Sequence, residues 1–156
     1  MTGEAMTGAA MTSAALTGHC LCGAVTIGVA GVHDPRAGAC HCRMCQRWSG
    51  GLFLCFNADA TGVTVVGPVT RHTSSTFAER AFCSVCGSHL WFRNTGPEST
   101  TYELMPGLFD DARDWPLRSE IYIDRAMTSA KLAGDHPRAT QAEYEQKNSF
   151  VAGNAP

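Results

Sequence analysis

Seven of the eight cysteines in this 156-residue chain fall into three tight clusters: Cys20-Leu21-Cys22, Cys40-His41-Cys42-Arg43-Met44-Cys45 and Cys83-Ser84-Val85-Cys86. Short clusters that recur at a distance are the usual layout of zinc ligands. Counted as ligands, they make four plus three. Four thiolates close a tetrahedral site, and three leave one position for water or a substrate. A metal that ties residues about sixty apart in sequence suits a fold of short strands with a modest core.

The rival explanation, a secreted disulfide scaffold, meets two objections. The N-terminus carries Glu4 and no Lys or Arg before Arg36, and its apolar residues are broken by Thr and Gly, so it does not read as a signal peptide. Cys-x-Cys pairs also close strained local rings. A reducing cytoplasm is the expected compartment. No apolar run approaches the roughly 20 residues that span a bilayer. The formal charge is −2, and the only lysines are Lys131 and Lys147. The arginines are scattered among fourteen acids, so no basic stripe awaits a nucleic-acid backbone.

Pattern along the chain predicts a mainly β protein of short antiparallel strands with little helix. Residues 1–17 repeat Met-Thr at Met1, Met6 and Met11 and read as a flexible extension, in which Met6 or Met11 would serve equally as a first residue. One domain is expected over 18–136, followed by a tail over 137–156 that is helix-compatible from Ala139 to Asn148. Val25, Ile27 and Val29 alternate with Thr26 and Gly28, a half-buried strand. Residues 32–39 (VHDPRAGA) read as a loop. Gly51–Phe56 is an apolar run suited to a central strand. Val63–Val66, Leu90–Arg93, Thr101–Leu104 and Glu120–Ile123 read as further strands, and Cys42–Trp48 as a helical turn.

Loop closure favours pairing the outer clusters, Cys20 and Cys22 with Cys83 and Cys86, leaving Cys40, Cys42 and Cys45 with their own metal. Gly23 and Gly87 follow the outer pairs, where a glycine lets backbone amides turn toward sulfur. Spacing alone also allows Cys40 and Cys42 to pair with Cys83 and Cys86. Cys55 sits among apolar neighbours and reads as a core residue more than a fourth ligand. The His41 ring is expected to point away from the ligands on either side of it.

GHCLCGAV, ACHCRMCQRWSG and RAFCSVCGSHLWFR resemble, in order and spacing, the signatures of the glutathione-dependent formaldehyde-activating enzyme family. That family has the Mss4-like β fold, shared with the zinc domain of centromere protein V. Weaker agreement continues through Pro106–Asp111, Glu120–Asp124 and Gly134–Pro137. The resemblance implies a structural zinc on Cys20, Cys22, Cys83 and Cys86, and a catalytic zinc on Cys40, Cys42 and Cys45, two ions per chain. It implies a carbon–sulfur lyase that adds glutathione, or another low-molecular-weight thiol, to formaldehyde or another small aldehyde. One departure is the stretch Ala126–Ala130, where relatives often carry a tryptophan.

A thiolate-rich centre needs cationic neighbours to accept an anionic thiol. Arg43 and Arg47 are the candidates, as charge partners or as grips for a carboxylate. Trp48 and Ser49 are placed to wall a pocket. His19 is a weak proton-shuttle candidate, His89 and Trp91 read as packing, and Arg80 as an anchor for the turn that follows it. Two rival functions are a non-catalytic zinc module and a zinc- or redox-responsive protein whose three-thiolate site loses its metal on oxidation.

Overall fold

The computed structural model describes residues 11–152. In chain order its elements are β1 (Leu16–His19), β2 (Thr26–Val29), β3 (Ala37–Cys40), α1 (Arg43–Ser49), β4 (Phe53–Asp59), β5 (Val63–Val66), β6 (Val69–Thr73), β7 (Ala78–Cys83), β8 (His89–Asn94), β9 (Thr101–Leu104), β10 (Leu117–Ile121), β11 (Arg138–Ala139) and α2 (Gln141–Lys147). The described residues are mainly β with two short α-helices, as the pattern predicts.

The strands form two sheets. A small one runs β1-β2-β5, and a large one runs β11-β10-β3-β4-β9-β8-β7-β6. Most pairings are antiparallel, but β10 lies parallel to both β3 and β11, a correction to the all-antiparallel expectation. Period-two alternation then sorts side chains onto the two faces of the large sheet. Phe56, Ala58, Trp91, Tyr102 and Leu104 meet Val25, Ile27 and Val29 of the small sheet region in one core. Phe53, Cys55, Ala78, Phe92 and Tyr122 build a second core that includes Cys40 and Cys45. The outer cysteines Cys20 and Cys83 belong to the first core, so each cluster serves a different face.

Several boundaries differ from the sequence reading. The ordered fold starts before residue 18: Leu16 is buried on β1, and Thr12 bridges His33. Residues 1–10, which carry most of the expected extension, lie outside the described residues. At the other end the tail is part of the fold, because β11 pairs with β10 and α2 follows it. A capping box, Thr140 with Glu143, starts that helix.

The largest correction concerns residues 37–39, expected as the end of a loop and found on β3 between β4 and β10. Ala and Gly have poor strand propensity, but close packing selects them here. A Cβ on Gly38 would sit 3.0 Å from Arg118 Nη2. Arg118 in turn donates to Asp34 Oδ2 at 3.1 Å, and Arg36 holds the same carboxylate at 2.8 Å, which pins β10 beside β3. The central strand begins at Phe53, two residues late, because Gly50 at φ 77° makes the exit turn from α1. The late strand ends at Ile121, where Tyr122 turns the chain with φ 57°.

Candidate metal centres

The outer clusters meet. Each is a tight turn closed by a left-handed glycine: Gly23 N–H donates to Cys20 O at 3.0 Å, and Gly87 N–H to Cys83 O at 2.9 Å, with φ of 78° and 77°. Ser88 joins the two turns by accepting from Leu21 N–H at 3.0 Å. The four sulfurs lie within 4.8 Å of one another. Cys20 Sγ is 3.6 Å from Cys22 Sγ, which is 3.9 Å from Cys83 Sγ. Zinc–sulfur bonds of about 2.3 Å set tetrahedral edges near ~3.8 Å, whereas a disulfide needs about 2.0 Å. The arrangement fits a metal. Val25 N–H donates to Cys20 Sγ at 3.2 Å, and hydrogen bonds from the Ser88 hydroxyl and N–H lower the Cys86 thiol to about 5.

The middle cluster converges separately. Cys40 ends β3, Cys42 is the N-cap of α1, and Cys45 lies in its first turn. Their sulfurs also lie within 4.8 Å of one another, and among the described residues no fourth His, Cys, Asp or Glu joins them. Three soft donors on one face fit zinc with a position left open. Cys42 Sγ accepts from Cys45 N–H at 3.4 Å. Hydrogen bonds from Cys40 and Cys45, that N–H and the charge of Arg80 hold the Cys42 thiol far below its ordinary range, while Cys40 is pushed up. Cys55 stands apart: wholly buried on β4, its Sγ donates to Glu103 Oε2 at 3.7 Å. Burial raises the Cys55 thiol and lifts Glu103 to about 7.

His41 points away from the sulfurs, but into protein rather than solvent. Its Nε2 is 2.8 Å from Glu120 Oε1, and Glu120 Oε2 is met by His136 Nε2 at 2.6 Å and Arg138 Nε at 2.9 Å. Burial alone would raise the Glu120 carboxyl; these three partners together lower it. Gln46 Nε2 donates to the carbonyls of His41 and Arg125, each at 2.8 Å. The ligand loop is therefore held from behind. Glu120→Gln is expected to weaken metal binding at the three-sulfur centre by about 10- to 100-fold, the usual effect of losing such outer support. The four-sulfur centre should be unchanged, and competition with a chromophoric chelator reads both.

The three sulfurs floor a cleft of about 250 Å³. Phe77, Phe92 and Tyr122 are among its walls, and Arg43, Arg125, Gln141 and Glu145 border it. The Tyr122 hydroxyl donates to Glu145 at 3.2 Å, and its ring lies 5.4 Å from that of Tyr144, so α2 is clamped over one side. Arg43 is thus at the cleft, whereas Arg47 is exposed and outside its lining. Trp48 and Ser49 do not wall it. Trp48 stacks on His72 and leans on His89, and Ser49 Oγ donates to Cys45 O at 2.8 Å. His19 is exposed with Nδ1 2.8 Å from Cys20 O, beside the other centre. Trp91 is core, as read.

Arg80 is the residue that sequence reasoning misjudged most. It does not anchor a turn: it projects from β7 into the second core, with Nη2 3.5 Å from Cys45 Sγ. Arg125, Tyr122 and the α2 side chains were not singled out as site residues either. The available signal was an arginine at an inward strand position three residues before a ligand.

The profile of the family described as glutathione-dependent formaldehyde-activating enzyme matches residues 15–125. The chain belongs to that family. It is also 32% identical over 94 residues to an uncharacterized lyase of Schizosaccharomyces pombe, a match covering 60% of this chain and 68% of the yeast protein. A crystal structure of a Rhodobacter sphaeroides protein superposes with a TM-score of 0.51 at 23% identity, over 65% of this chain and 99% of the other, and shares the fold. The formaldehyde-activating enzyme match stops at 125, so Gln141, Tyr144 and Glu145 reach the cleft from beyond the matched segment. No helix among the described residues is long and apolar enough to cross a membrane.

Proposed function

We propose that the protein is a zinc-dependent carbon–sulfur lyase that joins a low-molecular-weight thiol, glutathione or a relative of it, to formaldehyde or another small aldehyde, and cleaves the adduct in reverse. The observation that carries this reading is the three-sulfur centre at the floor of a cleft, with no fourth protein donor among the described residues. The family and the lyase name of the yeast relative support it. On this reading Cys20, Cys22, Cys83 and Cys86 hold a structural zinc, and Cys40, Cys42 and Cys45 the catalytic one.

Zinc bound by Cys40, Cys42 and Cys45 would stabilise a substrate sulfur as thiolate, which an ordinary thiol of pKa about 8.5 is only in small part at neutral pH. The chain's own residues do the rest. Arg43 and Arg125 at the rim suit the carboxylates of a peptide thiol. Phe77, Phe92 and Tyr122 exclude water from the sulfur and hold the two reactants together, which raises their effective concentration. With three thiolates on a divalent ion the centre carries a net negative charge. That favours positioning of the thiol over polarisation of the carbonyl by the metal.

The test is exchange spectroscopy on a mixture of glutathione, formaldehyde and their spontaneous adduct. Zinc-loaded protein is expected to accelerate exchange between free and bound formaldehyde, and protein stripped of the labile ion to lose that effect until zinc is restored. Unchanged exchange with this and with other small aldehydes would leave the non-catalytic zinc module as the better reading.

A further inference from the structure

We propose that Arg80 receives the oxygen of the electrophile, an inference that rests on the thiol–aldehyde reading above. Arg80 is only 3% exposed, and no carboxylate lies within ion-pair distance of it among the described residues. A buried cation without a carboxylate is costly unless other groups compensate it. Its guanidinium lies among three rings, with Cζ 4.9 Å from the centroid of Phe92, 5.5 Å from that of Phe53 and 5.9 Å from that of Trp48. Those faces stabilise the charge and fix the plane. One terminal nitrogen is accounted for, because Nη2 donates to Cys45 Sγ at 3.5 Å. The other terminal nitrogen, Nη1, is buried with no hydrogen-bond partner. A buried donor left unpaired in a cleft-lining side chain marks the place of an acceptor that arrives with the substrate.

The chemistry identifies that acceptor. In the forward reaction the thiolate sulfur attacks the carbonyl carbon and the carbon–sulfur bond forms. The π pair of the carbonyl moves onto oxygen, and the resulting alkoxide takes up the proton that the thiol released. In reverse the alkoxide re-forms the carbonyl and expels the thiolate. Oxygen is the atom that gains most charge, and a donor already fixed in a dry site stabilises that charge without reorganising. The three-thiolate centre is too electron-rich to serve the oxygen well, so the polarising cation has to come from elsewhere. Arg43 and Arg125 are exposed, whereas Arg80 is buried. Its fork allows Nη2 to stay on Cys45 while Nη1 serves the oxygen, and a lysine could not do both.

The experiment compares the parent with Arg80→Lys and Arg80→Gln as full chains. Metal per chain is counted, the thiolate-to-metal absorption is recorded on cobalt-substituted protein, and kcat and KM are measured separately for thiol and aldehyde. Arg80→Gln is expected to keep its metal and the KM for thiol within about threefold, and to lose about 10²- to 10³-fold in kcat/KM for the aldehyde. Arg80→Lys keeps the charge and so keeps the fold and metal, yet should remain at least about tenfold slower than the parent. Parent-like turnover in Arg80→Lys overturns the proposal, because it means the charge alone suffices. So does a loss in Arg80→Gln that matches its loss of metal. An inert parent overturns the thiol–aldehyde reading and this inference together; an active parent with equally active variants overturns this inference alone.

Discussion

Serine in place of Cys83 should remove the fold's main staple: melting is expected to drop by on the order of 10–20 °C, with one metal ion lost per chain. Cys83 is completely buried in the first core at the end of β7, and its partners Cys20 and Cys22 lie just beyond β1. A metal held by the four sulfurs would therefore tie the small sheet to the large one, through turns that no disulfide joins. Structural zinc in small domains contributes roughly 10 kcal/mol or more of folding free energy, against a total stability of about 5–15 kcal/mol for a domain. Losing even about 5 kcal/mol in a chain of this length corresponds to that drop in melting temperature. The substitution also leaves a hydroxyl in an apolar site. Calorimetry with a parallel metal count is the check, and a Cys83→Ser protein that melts within a few degrees of the parent would show that this centre is not the staple.

How much of this could be read in advance depended on whether the signal was local. Cys20, Cys22, Cys83 and Cys86 were legible because ligand spacing and the trailing Gly23 and Gly87 state a local geometry, and the two turns carry it out with φ of 78° and 77°. The same holds for β2 and the residue before it, where alternation at Val25, Ile27 and Val29 reports burial directly. Cys42 as an N-cap was within reach, since the three-residue spacing to Cys45 matches a capped first turn.

What stayed hidden was set by pairing across long sequence distances. β3 consists of Ala, Gly, Ala and Cys, and nothing in those residues signals a strand; β4 and β10 on either side impose it. The Glu120 network joins residues 41, 120, 136 and 138, and only the parallel run of β3, β10 and β11 brings them together. Arg80 was misread for the same reason. Its nearness to Cys83 in sequence suggested the outer centre, but alternation along β7 turns it to the opposite face and the middle one. In a β protein a residue next to a ligand in sequence can belong to the other side of the sheet.

Cys42→Ser is expected to abolish adduct exchange, by at least about 10³-fold, while leaving the protein folded. The choice of residue makes the result interpretable. Of the three sulfurs, those of Cys40 and Cys45 belong to buried residues, and Cys42 is only half-buried. It is also the N-cap of α1, with its side chain accepting from Cys45 N–H. Serine is among the best N-cap residues, so its hydroxyl keeps that hydrogen bond and the helix start survives. What disappears is one soft sulfur donor of the three. Two sulfurs cannot hold zinc firmly at this position. The metal count should fall from two to one, and melting should shift by only a few degrees, since the four-sulfur staple is untouched. The pair of substitutions then separates the two centres: Cys83→Ser should chiefly lower stability, and Cys42→Ser chiefly activity. A Cys42→Ser protein that keeps full exchange activity would remove the three-sulfur centre from the chemistry and leave the cleft without a role in catalysis.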